Sequence, residues 1–246
     1  SAISRIHIIN QPALENMKKE LQLLGYSVNT IQTYTKELAQ LLALLKENPV
    51  NDLSDEKIRS YFLYCHNTLK LSDNAIHRRI NAIKFYFEKV LKRPKVTHDL
   101  PRPKKPSKLP KALSKQDIKK MLSKIDNPKH LIIIKLCYGM GLRVSEIVNL
   151  KLTDIDSDAM RVLIEAGKGK KDRYTTLPTS ILHELRLYYQ QYRPKYFLFE
   201  GPLQQKFSIR SVQNIFKDAM KKANINKVVG VHSLRHSYAT HLIEQG

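Results

Sequence analysis

The residues best suited to chemistry lie near the end of the printed sequence, in the segment HSLRHSYATH that covers residues 232–241. His232 and Arg235 are three positions apart, so on a helix both project from one face, near its N-terminal end. Free N–H groups and the helix dipole attract phosphate to such an end, and a guanidinium adds a planar, two-pronged donor. An imidazole and a guanidinium over one phosphate suit phosphoryl transfer, although a His-x-x-Arg pair alone does not establish it.

Two further basic residues strengthen this interpretation. Arg143 lies in YGMGLRVSE, and Lys168 lies in the glycine-flanked turn AGKGKKDR. A phosphodiester attacked by an alcohol gains negative charge on its non-bridging oxygens, which two arginines can hold with charge-assisted hydrogen bonds. A lysine on a flexible hairpin can bring the proton that the leaving 5′-oxygen needs. Composition alone does not separate Lys168 from its neighbours Lys170 and Lys171.

The segments GLRVSE and HSLRHSYATHL, with the lysine turn between them, resemble the tyrosine site-specific recombinases of the lambda-integrase class, and within it the Xer-like proteins. The resemblance covers most of the chain. It implies a recombinase or integrase that cleaves and rejoins DNA through a 3′-phosphotyrosyl intermediate, without a metal, a cofactor or ATP. It also implies a duplex recombination site as partner and a homo-oligomer, with a dimer on one site and a tetramer in the synaptic complex.

The same resemblance implies a role for each candidate site residue. Arg143 and Arg235 clamp the scissile phosphate, Lys168 is the general acid, and His232 assists proton transfer. Glu146 follows Arg143 by three positions and shares its helical face, so we expect Glu146 to orient that arginine or a neighbour.

One departure from the family pattern affects the expected activity. The family continues past the HSLRH helix to a further His or Trp and then to the nucleophilic tyrosine, whereas the printed sequence stops at Gly246. We therefore expect the chain as printed to bind DNA without forming the covalent intermediate. The alternative is a non-catalytic DNA-binding regulator, or a recombinase relative that only occupies sites.

Net charge is the outstanding feature of the composition. Among 246 residues, 43 are Lys or Arg and 22 are Asp or Glu, which gives a net charge of +21 and a pI of about 9.9. Such an excess attracts polyanions and makes nucleic acid the first partner to consider. An RNA-binding or ribosome-associated protein, or a membrane-surface or heparin-type binder, would carry the same charge.

Other compositional features indicate a soluble, cytoplasmic protein. The two cysteines, Cys65 and Cys137, lie in apolar helical segments, so we expect buried thiols in a reducing compartment. The apolar run LIIIKLCYG is shorter than a membrane span and contains a lysine. The first residues lack a signal-peptide pattern.

The pattern predicts a mainly α protein with a small β-sheet, in two domains. Residues 1–93 read as a helical bundle, which the resemblance identifies as a SAM-like core-binding domain; residues 94–112 form a basic, proline-rich linker; residues 113–246 form the catalytic domain, lacking its tyrosine segment. The resemblance implies that the two domains close as a C-shaped clamp around duplex DNA.

Apolar periodicity places the elements. Helices are predicted at 12–24, after the caps Ser27, Ser54 and Ser72, after the capping box of Ser114 and Asp117, at 143–150, 180–192 and 208–223, and after His232, with β-like runs RVLIEA and RYTTLP. The run HLIIIKLCYGMGL is apolar on all sides and predicts a buried helix.

Basic residues outside the candidate site are candidates for DNA contact, with a solvated helix face, linker or hairpin tip as the alternative. They occur on the fourth helix, in the linker and in the lysine turn. These residues are Arg78, Arg79, Lys84, Lys104, Lys105, Lys170 and Lys171.

Two metal-binding patterns are incomplete, and we expect no metal site. DIDSDAMRVLIE has EF-hand carboxylate spacing from Asp154 to Glu165, but Ala159 stands where the sharp turn needs glycine. His232 and His236 have zinc-helix spacing, yet no Glu follows the first histidine and no Cys lies nearby. We expect His236 to be structural.

Overall fold

A computed structural model describes residues 2–93, 112–165 and 171–244 of the chain. The described residues form two compact units, Ser1–Ser107 and Lys108–Gly246. Helices dominate both, and the strands lie in the second unit. The predicted fold class, mainly α with a small sheet, is confirmed.

The first unit is a bundle of helices. Two short 3₁₀ turns, Ile3–Arg5 and Ile8–Asn10, precede α1 (Gln11–Leu23), α2 (Val28–Leu45), α3 (Asp55–Asn67) and α4 (Asp73–Phe85). The predicted caps Ser27 and Ser54 accept hydrogen bonds from the N–H groups of Thr30 and Lys57. Gly25 ends the first helix with a φ of 68°, as a C′ glycine does.

The end of the fourth helix differs from the prediction. The sequence pattern continues as one α-helix, but the backbone becomes π-helical over Tyr86–Val90. The adjacent rings of Tyr86 and Phe87, at the start of this segment, both lie in the core, where each is at most 1% exposed. Single turns of π-helix occur within or at the ends of α-helices, and the apolar repeat does not mark them.

The second unit surrounds a buried central helix. Its elements are α5 (Lys115–Leu122), α6 (Pro128–Gly139), α7 (Val144–Asn149), β1 (Ile155–Asp156), β2 (Arg161–Ile164), β3 (Arg173–Thr176), α8 (Thr179–Tyr192), α9 (Ile209–Lys222) and α10 (His232–Ile243). α6 packs against α7, α8, α9 and α10. Five of its residues are buried: Ile132, Ile133, Ile134, Leu136 and Cys137. The prediction of a buried helix is confirmed, as is the capping box of Ser114 and Asp117.

The sheet is a three-stranded antiparallel meander in the order β1-β2-β3. Val162 and Ile164 point into the core, while their neighbours on β2 are more exposed. Arg173 begins β3 and pairs with Ile164. This register places Arg173, at the start of β3, opposite a residue of β2 that is buried in the core.

Buried polar contacts fix α10 on the rest of the unit. The hydroxyl of Ser237 accepts the N–H of Leu113 at 2.8 Å and donates to the carbonyl of Ser233. The Tyr138 hydroxyl lies 2.9 Å from Nδ1 of His241, which is buried. The structural histidine of this helix is therefore His241; the expectation for His236 was wrong, because His236 is exposed.

Both cysteines are free and buried, as predicted. No described helix combines the length and apolar character that a membrane crossing requires.

Candidate active site

Arg143 is held at the start of a short helix. It is the N-cap residue of α7 and has an extended backbone conformation, so the helix predicted from residue 143 begins one residue later, at Val144. The carboxylate of Glu146 accepts the backbone N–H of Arg143 at 2.9 Å and its Nη1 at 2.7 Å. The sequence R-x-x-E therefore fixes the backbone and the guanidinium of one residue with a single side chain.

Glu146 carries a second arginine. Arg173, from β3, donates Nη1 and Nη2 to the two carboxylate oxygens of Glu146, each at 2.9 Å. Burial alone would raise the pKa of Glu146, but the hydrogen bonds from Arg173 and Arg143 outweigh it and lower that pKa to about 2. The carboxylate is thus ionised at any physiological pH.

Arg235, on α10, is held by a backbone carbonyl of the turn before Arg143. Its Nη1 donates to the carbonyl of Gly141, in the turn that leads from α6 to α7. Gly141 has a φ of 58°, and an added Cβ would lie 2.6 Å from Cδ1 of Tyr238. A glycine is needed here both for the backbone conformation and for the close approach of α10.

His232 is the first residue of α10 and is exposed. Its ring lies edge-on to that of His236, with centroids 5.1 Å apart. Burial of part of the ring lowers the pKa of His232, and the charges of His236, Arg235 and Arg143 lower it further. A neutral imidazole at pH 7 is able to accept a proton.

These groups form one electrostatic cluster. Burial lowers the pKa of Arg235, and repulsion from Arg143 and Arg173 adds to this effect, while Glu146 opposes it. Arg143 and Arg173 pair with the Glu146 carboxylate, and Arg235 lies within electrostatic range of both arginines, so the cluster carries a surplus of positive charge that a bound anion would neutralise. The arrangement can hold the oxygens of a phosphate beside a neutral imidazole.

The structure brings four of the predicted site residues into this cluster: Arg143, Glu146, His232 and Arg235. Lys168 lies outside the described residues. Sequence analysis missed Arg173, although KDRYTTLP places a basic residue at the start of a predicted strand. A buried charge is normally paired, so a carboxylate expected to orient an arginine pointed to the possibility of a second basic partner. That was the signal from which Arg173 could have been sought.

The candidate DNA-binding residues of the first unit differ in exposure. Arg78 is exposed, and its Nε lies 3.6 Å from Oε1 of Glu37. Lys84 is half-buried, and its Nζ lies 3.6 Å from Oε1 of Glu88. The placement of Arg79 on the polar face was wrong. Its side chain is buried in the bundle. There Nε donates to Glu37 at 3.0 Å, and Nη1 donates to the Cys65 sulfur.

We accordingly assign Arg79 to the interior of the helical bundle rather than to a DNA surface. In the second unit Lys171 is exposed. Lys104, Lys105 and Lys170 lie outside the described residues.

The carboxylates with EF-hand spacing have separate partners. Asp154 accepts the backbone N–H of Lys151, Asp156 binds Arg161, and Glu165 pairs with the Lys151 ammonium. Across residues 2–93, 112–165 and 171–244, no group of three or more His, Cys, Asp or Glu side chains is arranged to hold a metal ion.

Comparisons with known proteins identify the family and the fold. The profile of the phage integrase family matches residues 111–246, and that of the N-terminal SAM-like domain of phage integrases matches residues 13–96. The putative integrase/recombinase y4qK of Sinorhizobium fredii is 38% identical over 248 residues, covering 97% of this chain and 78% of that protein. The tyrosine recombinase XerA of Pyrococcus horikoshii is 33% identical, covering 98% of this chain and 83% of that protein.

A solved structure shares the fold. The crystal structure of a lambda integrase dimer bound to a COC′ core site has a TM-score of 0.77 at 15% identity, covering 95% of this chain and 89% of the other. With profiles matched over both units and relatives aligned over almost the whole chain, this protein belongs to the phage integrase family of tyrosine recombinases.

Proposed function

We propose that this protein is a site-specific recombinase that cleaves and rejoins duplex DNA through a 3′-phosphotyrosyl link. The observation that carries the proposal is that Arg143, at the start of α7, lies close enough to Arg235 and His232, on α10, to lower the pKa of both, while Glu146 holds Arg143 in place. Guanidiniums fixed before the substrate arrives stabilise developing phosphoryl charge without reorganising. Family membership supports the same reaction class.

The proposed reaction has two phosphoryl transfers. A tyrosine oxygen attacks the scissile phosphorus while Arg143 and Arg235 hold the non-bridging oxygens. The P–O bond to the 5′-oxygen breaks, and Lys168 supplies the proton to that oxygen. The 5′-hydroxyl of a second strand then gives its proton back to Lys168 as its oxygen attacks the phosphotyrosine and releases the tyrosine. The phosphodiester bond is re-formed without loss of its energy, so ATP is not needed.

His232 fits the role of proton acceptor in this scheme. Its lowered pKa favours the neutral imidazole at physiological pH, and it lies close enough to Arg235 for that charge to act on it. This supports a place beside the phosphate that we propose Arg235 holds. We propose that it takes a proton during attack and returns it when the tyrosine leaves. The two arginines supply the charge stabilisation, so we propose that no metal is required.

The partners follow from charge and family. A net charge of +21 favours the DNA backbone, and the first-unit arginines and lysines that remain exposed are available to it. We propose a dimer on one recombination site and a tetramer in the synaptic complex. The two free, buried thiols fit the reducing cytoplasm as the compartment.

Trapping on a nicked suicide duplex tests the reaction. The nick lets the short 5′-hydroxyl strand diffuse away after cleavage, so the protein stays attached to the 3′ end. In the family the tyrosine follows the position that matches Gly246, so we expect an adduct with a longer form of the protein and none with residues 1–246 alone. Peptide mapping of the adduct identifies the nucleophile.

A longer form that binds duplex DNA and contains the tyrosine yet never forms an adduct would contradict the proposal. It would favour the alternative, a non-catalytic DNA-binding relative. Equal competition by structured RNA and duplex DNA would instead favour an RNA-binding protein, which the net charge alone also allows.

A further inference from the structure

The Arg173–Glu146 pair joins two elements that carry the site. Arg173 opens β3, Glu146 lies in α7, and the two are 27 positions apart in sequence. Each carboxylate oxygen accepts two hydrogen bonds: Oε1 from Nη1 of Arg143 and Nη1 of Arg173, and Oε2 from the backbone N–H of Arg143 and Nη2 of Arg173. The hydrogen-bonding capacity of the buried carboxylate is filled by these two arginines.

The two arginines use their donors differently. Both terminal nitrogens of Arg173 are committed to Glu146 as a fork. Arg143 gives Glu146 only Nη1, and among the described residues its Nη2 bonds no acceptor. Arg143 is therefore the one of the pair whose terminal nitrogen is available to a phosphate, and Arg173 is the one that holds the carboxylate.

Without Arg173, Arg143 and Glu146 would hold each other only within one short segment. α7 is six residues long, and Arg143, at its N-cap position, gives the carboxylate two hydrogen bonds, one from its backbone N–H and one from Nη1. The fork from Arg173 adds two parallel charge-assisted bonds from a different element, which fix the plane of the carboxylate relative to the sheet. Arg173 is itself set in place by the pairing of β3 with β2, whose Ile164 is buried in the core.

We propose that Arg173 is a positioning residue for the reaction: it locks the Glu146 carboxylate, which in turn aligns Arg143 on the scissile phosphate. This inference rests on the proposed recombinase function. It assigns to β3 a task beyond connecting the lysine turn to the sheet. Displacement of a reacting or binding group by about 1 Å can cost about 10²-fold in rate.

The test compares substitutions at Arg173 with one on the neighbouring strand. Arg173→Ala removes the fork, and Arg173→Lys keeps the charge with a single ammonium. Arg161→Ala is the matched control, because Arg161 is an exposed arginine on β2 that pairs with Asp156 and stacks over Tyr174. Single-turnover trapping at saturating suicide duplex, and duplex affinity, are measured for each in the longer, nucleophile-containing form.

A positioning role predicts a split between rate and affinity. We expect Arg173→Ala to slow trapping by about 10²-fold with duplex affinity little changed, Arg173→Lys to recover part of the rate, and Arg161→Ala to trap as the wild type does. In a Glu146→Gln background, Arg173→Ala should slow trapping almost no further, because the carboxylate through which Arg173 acts is already absent.

Three results would overturn the inference: equal slowing by Arg161→Ala, slowing that merely follows lost affinity, or full additivity with Glu146→Gln. If Arg173→Ala does not fold, Arg173→Lys and its double variant with Glu146→Gln decide the question. A wild-type protein that never traps contradicts the proposed function instead. In that case the positioning role is tested by NMR on residues 1–246. If Arg173→Lys leaves the NMR signal of the Arg143 guanidinium unchanged, the positioning role is rejected.

Discussion

At the scale of single residues, Glu146 organises the site. Its side chain is 6% exposed, yet it stays ionised because Arg143 and Arg173 donate four hydrogen bonds to it. Removing either partner would leave a buried charge with unfilled acceptors, which is costly. The same carboxylate therefore contributes to stability and to the orientation of the phosphate-binding arginine.

The low pKa of Glu146 predicts a specific loss of stability in acid. Its folded-state pKa of about 2 lies below the ordinary 4.5, so its contribution is fully present above the ordinary value and is lost as pH falls toward the folded value. A shift of this size corresponds to about 3 kcal/mol. The difference in unfolding free energy between wild type and Glu146→Gln should shrink as pH falls from about 5 to about 2.

Urea unfolding at a series of pH values measures this difference. Glu165→Gln is the control, because the Glu165 side chain is 47% exposed in its ion pair with Lys151, and an exposed pair contributes little. A difference between wild type and Glu146→Gln that stays constant down to pH 2 would contradict the assigned pKa.

Sequence analysis identified the residues of this site that lie in short local motifs. Spacing of three positions brought Arg143 together with Glu146, and His232 with Arg235. The first pair meets because Glu146 caps the helix that follows Arg143, not because both residues lie on one helical face as we expected. Arg173 meets Glu146 across 27 positions of sequence, a tertiary contact that no local pattern records. Arg79 was misplaced for the same reason, since its partner Glu37 comes from another helix.

At the scale of elements, the turn between α6 and α7 sets the distance between the two arginine-bearing helices. Gly141 accepts Arg235 through its carbonyl and packs its Cα against the Tyr238 ring. This turn therefore connects the Arg143 segment to α10. The helices themselves were predictable from periodicity and caps, but the role of the turn depends on packing between distant segments.

Gly141→Ala should disrupt this turn. Alanine would have to adopt a φ of 58° with its Cβ 2.6 Å from a ring carbon, so we expect a loss of about 1–3 kcal/mol in unfolding free energy. Gly230→Ala is the control, because a Cβ there meets nothing within 4 Å. Urea midpoints compare the two, and equal stability of both variants would show that the turn relaxes without cost.

The π-helical end of the first-unit bundle shows the limit of periodicity. The residue pattern of α4 extends past Phe85, and nothing in it marks the change of backbone at Tyr86. Tyr86 and Phe87, at the start of the π-helical segment, are both almost fully buried. Periodicity thus predicted the element, while the local backbone geometry within it did not follow from the apolar repeat.

At the scale of the whole molecule, charge and family membership concern different properties. The net charge of +21 predicts attraction to any nucleic acid and a steep fall in affinity with salt. Family membership and the arginine cluster concern what happens to a bound phosphate. Affinity measurements alone therefore do not test the central claim, that Arg143 and Arg235 act together on one phosphodiester.

The most direct test uses a longer form of the protein that contains the tyrosine. It measures the trapping rate and duplex affinity side by side for Arg143→Ala, Arg235→Ala and the control Arg186→Ala, which alters an exposed arginine of α8. We expect each of the first two to slow trapping by about 10²–10³-fold while duplex binding survives, and the control to match wild type. Trapping that proceeds at the wild-type rate in Arg143→Ala and Arg235→Ala would contradict the account.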